Sequence, residues 1–468
     1  MTPDVIVRAT PSQAGVDASG LMRLLDAFEA DPGIRPHGLI VLRNGFLIAD
    51  GWWAPFSPDR VQQLYSISKS FTSTAVGFAR EEGLLDLDTT VLSYFPELDA
   101  DIVDPRSRSM KVRHLASMTS GHATETIERA SMMDPDDLVR GFLLIPPDAE
   151  PGAVFAYNQP CTYTLAAILQ RAAGMSLVDY LRPRLLDPLG IRDVSWIERP
   201  PGFNLGFSGM CATTDAIARL GELYRRGGVW GDRRLLSEEW VALATSRHID
   251  TPPVEAPECE QGYGFGFWMG RHGYHGDGAF GQFCVVVPEV GLVVAVTSES
   301  EPAQPMFDVL WEHVLPAIDA RGDRAADAAL AARLATLRLA APAFLEAPAS
   351  PDDWRGRRFR STGTEAPVDG VRVLAGAAGE PWRLQLDVAG GGLDVPFAAG
   401  RWVSGESGEV PVAATGGWTD SGDLVVEVLF LETPHTLRVS CAAGTGSATA
   451  TWRTVPLGDP TPTAQHRP

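Results

Sequence analysis

The sequence predicts an α+β protein: an antiparallel sheet flanked by helices, a mostly helical subdomain inserted between its strands, and an all-β module at the C-terminal end. Three observations carry this. β-rich apolar runs sit at both ends of the first 340 residues, near 38–53 and 262–297. Between them, residues 84–250 read as helical segments broken by Pro and Gly turns. Beyond a Pro- and Ala-rich stretch at 340–351, only short strands and Gly turns recur.

The elements follow in order. Two β-rich runs over 38–53 flank Asn44-Gly45, the residue pair of a type I′ hairpin turn. Ile67, Phe71, Ala75 and Phe78 recur at helical spacing, so Ser66 to Arg80 reads as a helix, with Gly83 suited to its C-terminal cap. Helices are also expected over Thr162 to Ala173 and Thr213 to Arg226. Strands are expected at Gly262 to Met269, Phe280 to Val287 and Gly291 to Thr297, close enough for an antiparallel meander. Helical periodicity returns in Phe307 to Ile318 and in the Ala-rich run to Leu339. The expected division is a domain at 1–339 with its helical subdomain at about 84–250, a linker at 340–351, an all-β domain at 352–457 and a disordered tail at 458–468.

Composition narrows the function classes. A net charge of −20 repels nucleic acid and anionic membranes, and no apolar run is long enough to span a bilayer. The first eight residues lack the basic and apolar pattern of a signal peptide. Five scattered cysteines with no C-x-x-C pair point to reduced thiols in a cytoplasm, and to neither a zinc site nor a disulfide scaffold. No cofactor motif and no metal-ligand spacing is present, so neither is expected. Lys69 and Lys111 are the only lysines, the other basic residues being arginines, which suggests a GC-rich bacterial coding bias. An arginine is always charged, whereas a lysine amine can be neutralised by its surroundings.

Ser66-Ile67-Ser68-Lys69 fits S-x-x-K at the start of a helix. Positions i and i+3 share a helix face, so the amine can reach the hydroxyl. As a plain N-cap, Ser66 would pair better with Glu or Gln three residues on. A lysine in the first turn opposes the helix dipole, which suits an amine whose proton affinity must fall. Together, Leu64-Tyr65-Ser66-Ile67-Ser68-Lys69-Ser70-Phe71, Glu82-Gly83-Leu84-Leu85-Asp86-Leu87-Asp88 and Val112-Arg113-His114-Leu115-Ala116-Ser117-Met118-Thr119-Ser120-Gly121 resemble the class C β-lactamase-related serine hydrolases. That penicillin-recognising superfamily includes β-lactamases, D,D-peptidases, D-amino-acid peptidases, carboxylesterases and nylon-oligomer amide hydrolases. The resemblance spans about residues 10–320 and implies a β-lactamase/D,D-peptidase-like fold there. It also implies that Ser66 is an acylated nucleophile.

Pro151 to Pro160 is similar to the family segment P-G-x-x-F-x-Y-x-N, which implies that Tyr157 shuttles protons with Lys69. The family asparagine falls on Gln159, with Asn158 one residue away as the alternative. Tyr274 to Gln282 lies where the family carries K-T-G or H-x-G, in one of two registers. With Gly278 as the closing glycine, Asp277 takes the preceding position, His275 is a neighbour, and the Ala279 amide joins that of Ser66 in the oxyanion hole. An aspartate there repels the carboxylate that a family lysine attracts. The residues expected to bind substrate are therefore Gln159, His275, Asp277 and Gly278. The substrate expected is a small ester or amide, neutral or amine-bearing. Two rival readings are a β-lactamase or D-aminoacyl peptidase on the same fold, and a catalytically silent binding or scaffold protein.

Overall fold

Asn44 and Gly45 adopt the left-handed backbone their turn requires, at φ 52° and 84°, and join β2 (Pro36–Arg43) to β3 (Phe46–Trp52). The computed structural model describes residues 5–253, 256–346, 348, 350–362, 366–376, 380–388 and 391–468. The first four residues, part of the N-terminal reading, and residues 347 and 349 of the expected linker lie outside the described residues.

The two strands belong to a seven-stranded sheet completed by β1 (Val7–Arg8), β4 (Trp268–Met269), β5 (Tyr274–Gly278), β6 (Gln282–Val287) and β7 (Leu292–Ser298). Its order is β1-β3-β2-β7-β6-β5-β4, antiparallel except for the β1–β3 pair. In β2, Ile40 and Leu42 enter one core while Leu39 and Val41 enter the other. A strand buried on both faces reads as a continuous apolar run, as this one does.

On one face lie α1 (Ala18–Ala30), α5 (Gln304–His313) and α6 (Arg324–Leu334). On the other lie α2 (Ser68–Glu81), α3 (Gln159–Ala173) and α4 (Thr214–Arg225), among the helices of the inserted region. Residues 68–79 of α2 are all buried. The Ser and Thr side chains there bond to surrounding carbonyls, Ser70 to Gly266, Thr72 to Gly206 and Ser73 to Phe265, at 2.5–2.8 Å.

The C-terminal module is a nine-stranded sheet with its own core. Its strands are β8 (Arg358–Ser361), β9 (Val368–Leu374), β10 (Trp382–Val388), β11 (Gly391–Phe397), β12 (Val403–Ser407), β13 (Val410–Trp418), β14 (Leu424–Phe430), β15 (His435–Ala442) and β16 (Ser447–Trp452). The edge strands β11 and β12 approach each other, with the Asp394 amide donating to Ser407 Oγ at 2.8 Å. The sheet thus curls towards a barrel. Ala413, Leu429 and Leu431 pack into the α1/α5 core of the first domain.

Between the domains, buried Glu299 accepts from the Thr436 amide (3.0 Å) and from the Thr436 and Thr454 hydroxyls (2.5 and 2.9 Å), and it pairs with Arg35 at 3.4 Å. Removing the carboxylate leaves the buried Thr436 amide and the two hydroxyls without their acceptor, while Arg35 keeps Glu427 at 3.3 Å. Glu299→Ala is expected to cost about 3 kcal/mol of folded-state stability, seen as a lower thermal midpoint by calorimetry. Within residues 458–468 a turn forms at Pro462–Ala464, and Arg467 bonds to Glu432 and Asp193. Polar tail residues find partners on the folded surface, which composition does not reveal.

Candidate active site

Ser66 lies in a single turn, Tyr65–Ile67, that leads into α2 without any side-chain cap. The expected helix thus begins as a tighter turn, and Ser66 Oγ is not spent on capping. Tyr65, just before it, has φ 48°, a conformation a non-glycine residue holds only when its surroundings enforce it, at a cost of about 1–3 kcal/mol. The incoming chain is pinned by Gln62–Gln63 pairing with Cys211–Ala212 and by the Leu64 amide donating to Met210 O.

Lys69 Nζ lies 2.9 Å from Ser66 Oγ and 2.9 Å from the Phe207 carbonyl, and 4.6 Å from the centre of the Tyr157 ring. It is buried, and burial lowers its pKa to about 7, partly opposed by the negative charges of Glu125 and Asp277. A neutral amine can donate to Phe207 and accept the Ser66 proton along the other contact. Burial moves the Tyr157 phenol the other way, far above the ordinary tyrosine range, while hydrogen bonding with Ser66 partly offsets it. Trp268 stacks on Tyr157 at 5.2 Å, and Tyr263 meets its edge at 6.1 Å. Two segments 88 residues apart (157 minus 69) therefore place a hydroxyl, an amine and a phenol together.

The third segment forms β5. Gly276 to Gly278 pair with β6 on one side, but among the described residues only Tyr274 and His275 pair with β4, so the other side of Gly276 to Gly278 is an edge. An extended substrate can lie along such an edge. A Cβ on Gly276 would stand 2.8 Å from Ser70 Oγ, and one on Gly278 would stand 2.3 Å from Leu64 O. Glycine here lets the strand close on the Ser66 turn. Alternation turns the neighbouring side chains to the opposite face. His275 there packs on Phe307 at 4.8 Å, its Nε2 buried and unpartnered, and so departs from the substrate side expected for it. Asp277 shares that face with His275, the ligand atoms of the two lying within 4.8 Å of each other, and so also departs from the direct substrate contact expected for it; it is half-buried, burial raises its carboxyl to about 7, and Lys69 opposes that. Ala279 opens the β5–β6 turn, which Gln282 fixes by donating to the carbonyls of Ala279, Phe280 and Ser298.

At the mouth of α3, Asn158 Oδ1 accepts from both the amide and the hydroxyl of Thr126, at 3.0 and 2.9 Å. That amide is committed to holding a loop. Gln159 Oε1 is buried with no partner, the freer acceptor of the two. The Gln159 amide donates to exposed Glu125, whose carboxylate also takes the Thr126 and Ile127 amides. Glu125 lies outside every sequence pattern and was not foreseen. The scattered cysteines also gave no sign that Cys259 meets His275 and Asp277, whose ligand atoms lie within 4.8 Å of one another; among the described residues, this trio could hold a metal ion. No helix among the described residues is long and apolar enough to cross a membrane.

Asp277 and Lys69 act on each other, which gives a pH prediction. Removing the carboxylate lowers the lysine pKa further, because a nearby negative charge favours the ammonium. If neutral Lys69 is the working form, kcat/KM rises with pH through about 7. In Asp277→Asn that rising limb is expected at lower pH, read from a pH–rate profile.

Comparison with known proteins places this geometry in context. The 6-aminohexanoate-dimer hydrolase of Paenarthrobacter ureafaciens is 28% identical over 248 residues, 50% of this chain and 63% of that protein. The chain thus spans less than two thirds of that relative's length. Esterase EstB of Burkholderia gladioli is 26% identical over 219 residues, covering 41% of this chain and 55% of the esterase. A solved penicillin-binding protein homologue from Caulobacter crescentus shares the fold, with a TM-score of 0.50 at 18% identity over 67% of this chain and 96% of that one. The beta-lactamase family model matches residues 21–318, more than half of the sequence. The chain belongs to the beta-lactamase family.

Proposed function

We propose that the protein is a serine hydrolase that cleaves a small ester or amide through an acyl-enzyme on Ser66. The observation that carries this is the 2.9 Å contact between a buried lysine amine and the Ser66 hydroxyl, with the Tyr157 ring centred 4.6 Å from that amine. The two pKa directions divide the labour. Lys69, lowered to about 7, is the base, and Tyr157, raised, is the proton donor. Ser66 Oγ bonds to the acyl carbon as its proton passes to Lys69. The Ser66 and Ala279 amides hold the oxyanion. The bond to the leaving group then breaks, that group takes its proton from Tyr157, and Lys69 returns one to the phenol. Water repeats the sequence in reverse roles, releasing the acid and restoring Ser66.

Substrate choice follows from charge. Glu125 and Asp277 are the charges that act on Lys69 besides a cysteine thiol, and both are acidic. Carboxylate-bearing β-lactams meet repulsion, while neutral or amine-bearing acyl groups do not. A relative named for a 6-aminohexanoate dimer and another named as an esterase support amide or ester cleavage. Five free cysteines, four of them buried, suit a reducing compartment such as the cytoplasm.

Matched nitrophenyl esters with cationic, neutral and anionic acyl groups, nitroanilides of the same set and a chromogenic cephalosporin test this reading. The cationic and neutral esters are expected to turn over at least about 10-fold faster than the anionic one, and the cephalosporin slowly. Efficient cephalosporin turnover favours the β-lactamase reading, faster cleavage of an aminoacyl nitroanilide the peptidase reading, and no turnover of any the binding-protein reading.

A further inference from the structure

We infer that the C-terminal β domain acts on the active site through His435, a positioning residue that holds the two turns carrying the proposed oxyanion amides. The inference rests on the reading of Ser66 and Ala279 given above. Tyr65 immediately precedes Ser66, and Phe280 immediately follows Ala279. Both are non-glycine residues in the left-handed region, at φ 48° and 65°. Each therefore holds a backbone its own side chain disfavours, and something must keep it there.

That something is a cluster of three buried rings from three parts of the chain. Tyr65 and Phe280 meet edge to face at 5.2 Å. The ring of His435, at the start of β15, stands edge-on to both, 5.8 Å from Tyr65 and 4.9 Å from Phe280. The hydrogen bonds fix its orientation. His435 Nδ1 lies 2.9 Å from the Thr454 carbonyl, which can only accept, so Nδ1 carries the proton. Nε2 is then an acceptor, and the Tyr65 hydroxyl donates to it at 2.5 Å. Burial keeps the imidazole neutral, its pKa pushed to about 3, so the acceptor persists across the physiological range.

The same cluster is tied to the other side of the β5–β6 turn. The Ser298 hydroxyl, at the end of β7, donates to Gly281 O (2.7 Å) and Phe280 O (3.2 Å), and the Ser300 amide donates to Phe280 O (2.9 Å). Glu299 between them binds Thr436 and Thr454, the neighbours of His435. One β domain thus braces the nucleophile turn through Tyr65 and the amide turn through Phe280, neither of which touches the reacting atoms. An oxyanion hole works only if its two donors are set before the charge develops.

The test uses the full chain with Tyr65→Phe, His435→Leu and His435→Gln, alongside wild type and Ser66→Ala. Ser66 phosphonylation by a fluorophosphonate and steady-state hydrolysis of a nitrophenyl ester are measured, together with melting curves. Tyr65→Phe keeps the ring and removes the hydroxyl, which donates to His435 and also bonds to the Leu457 backbone. It is expected to slow phosphonylation and kcat by about 10- to 100-fold with KM within about twofold, in a variant that melts somewhat below wild type, because His435 Nε2 loses its donor, yet is fully folded at the assay temperature. His435→Gln, which keeps an acceptor, is expected to recover part of the rate lost in His435→Leu. Wild-type rates in a folded Tyr65→Phe overturn the inference, as does a fall that merely follows the fraction unfolded. If His435→Leu does not fold, Tyr65→Phe decides alone. If wild type itself is not labelled at Ser66, the reading of the nucleophile fails, and this inference fails with it.

Discussion

Ser66→Ala is expected to lower turnover of any ester substrate by about 10⁶-fold, the scale seen when a nucleophile is removed from a serine hydrolase. The hydroxyl is the atom to which the acyl group is transferred in this account, and no neighbouring group can take that place. Lys69 would retain its bond to Phe207, the amides of the oxyanion hole would remain, and a residual rate above that in water would survive through them. Ser66 Oγ caps no helix, so the variant should melt with wild type. KM should change little, because the deleted interaction belongs to the transition state. Steady-state kinetics with a nitrophenyl ester would show the effect.

Lys69→Met should lose about 10⁴-fold in kcat/KM, the upper range for removing a positioned general base. Methionine fills most of the space the lysine chain occupies, so a folded but inactive variant separates chemistry from packing. Lys69→Ala leaves a cavity as well, and its activity should fall equally while its stability falls more. Lys69→Arg should not rescue either: guanidinium stays charged near neutrality and cannot accept the Ser66 proton. Its bulk also meets the Phe207 carbonyl and the Tyr157 ring at the distances that hold the lysine. A rate-versus-pH profile adds a second reading, since the limb near pH 7 assigned to Lys69 should vanish in Lys69→Met.

The parts of the site that the sequence made legible are those encoded locally. Ser66 and Lys69 share one turn, so their spacing alone implied contact, and Tyr157 stood in a recognisable segment. The hairpin at Asn44-Gly45 was legible because only a few residue types tolerate its backbone. Elsewhere apolar content misled. The expected strand from Gly262 to Met269 joins the sheet at Trp268 and Met269 alone among the described residues, with isolated bridges at Tyr263, because Gly262 and Gly266 turn the chain at φ 106° and 75°. Phe265 and Phe267 there are buried between turns instead of in a ladder, and an aromatic run does not separate those cases. Glu125 and His435 could not be read at all. Each acts through a fold that brings it to the site from a distant segment, by bonds to a backbone amide or to a tyrosine hydroxyl that leave no pattern in composition.

The covalent intermediate is the point on which the account turns. Intact-protein mass spectrometry of the full chain, quenched during turnover of a nitrophenyl ester or after fluorophosphonate treatment, addresses it directly. The account predicts one added acyl or phosphonyl group per chain, located by fragmentation on Ser66 and absent from Ser66→Ala. Turnover with an unmodified chain, or an adduct of equal yield in Ser66→Ala, would contradict it.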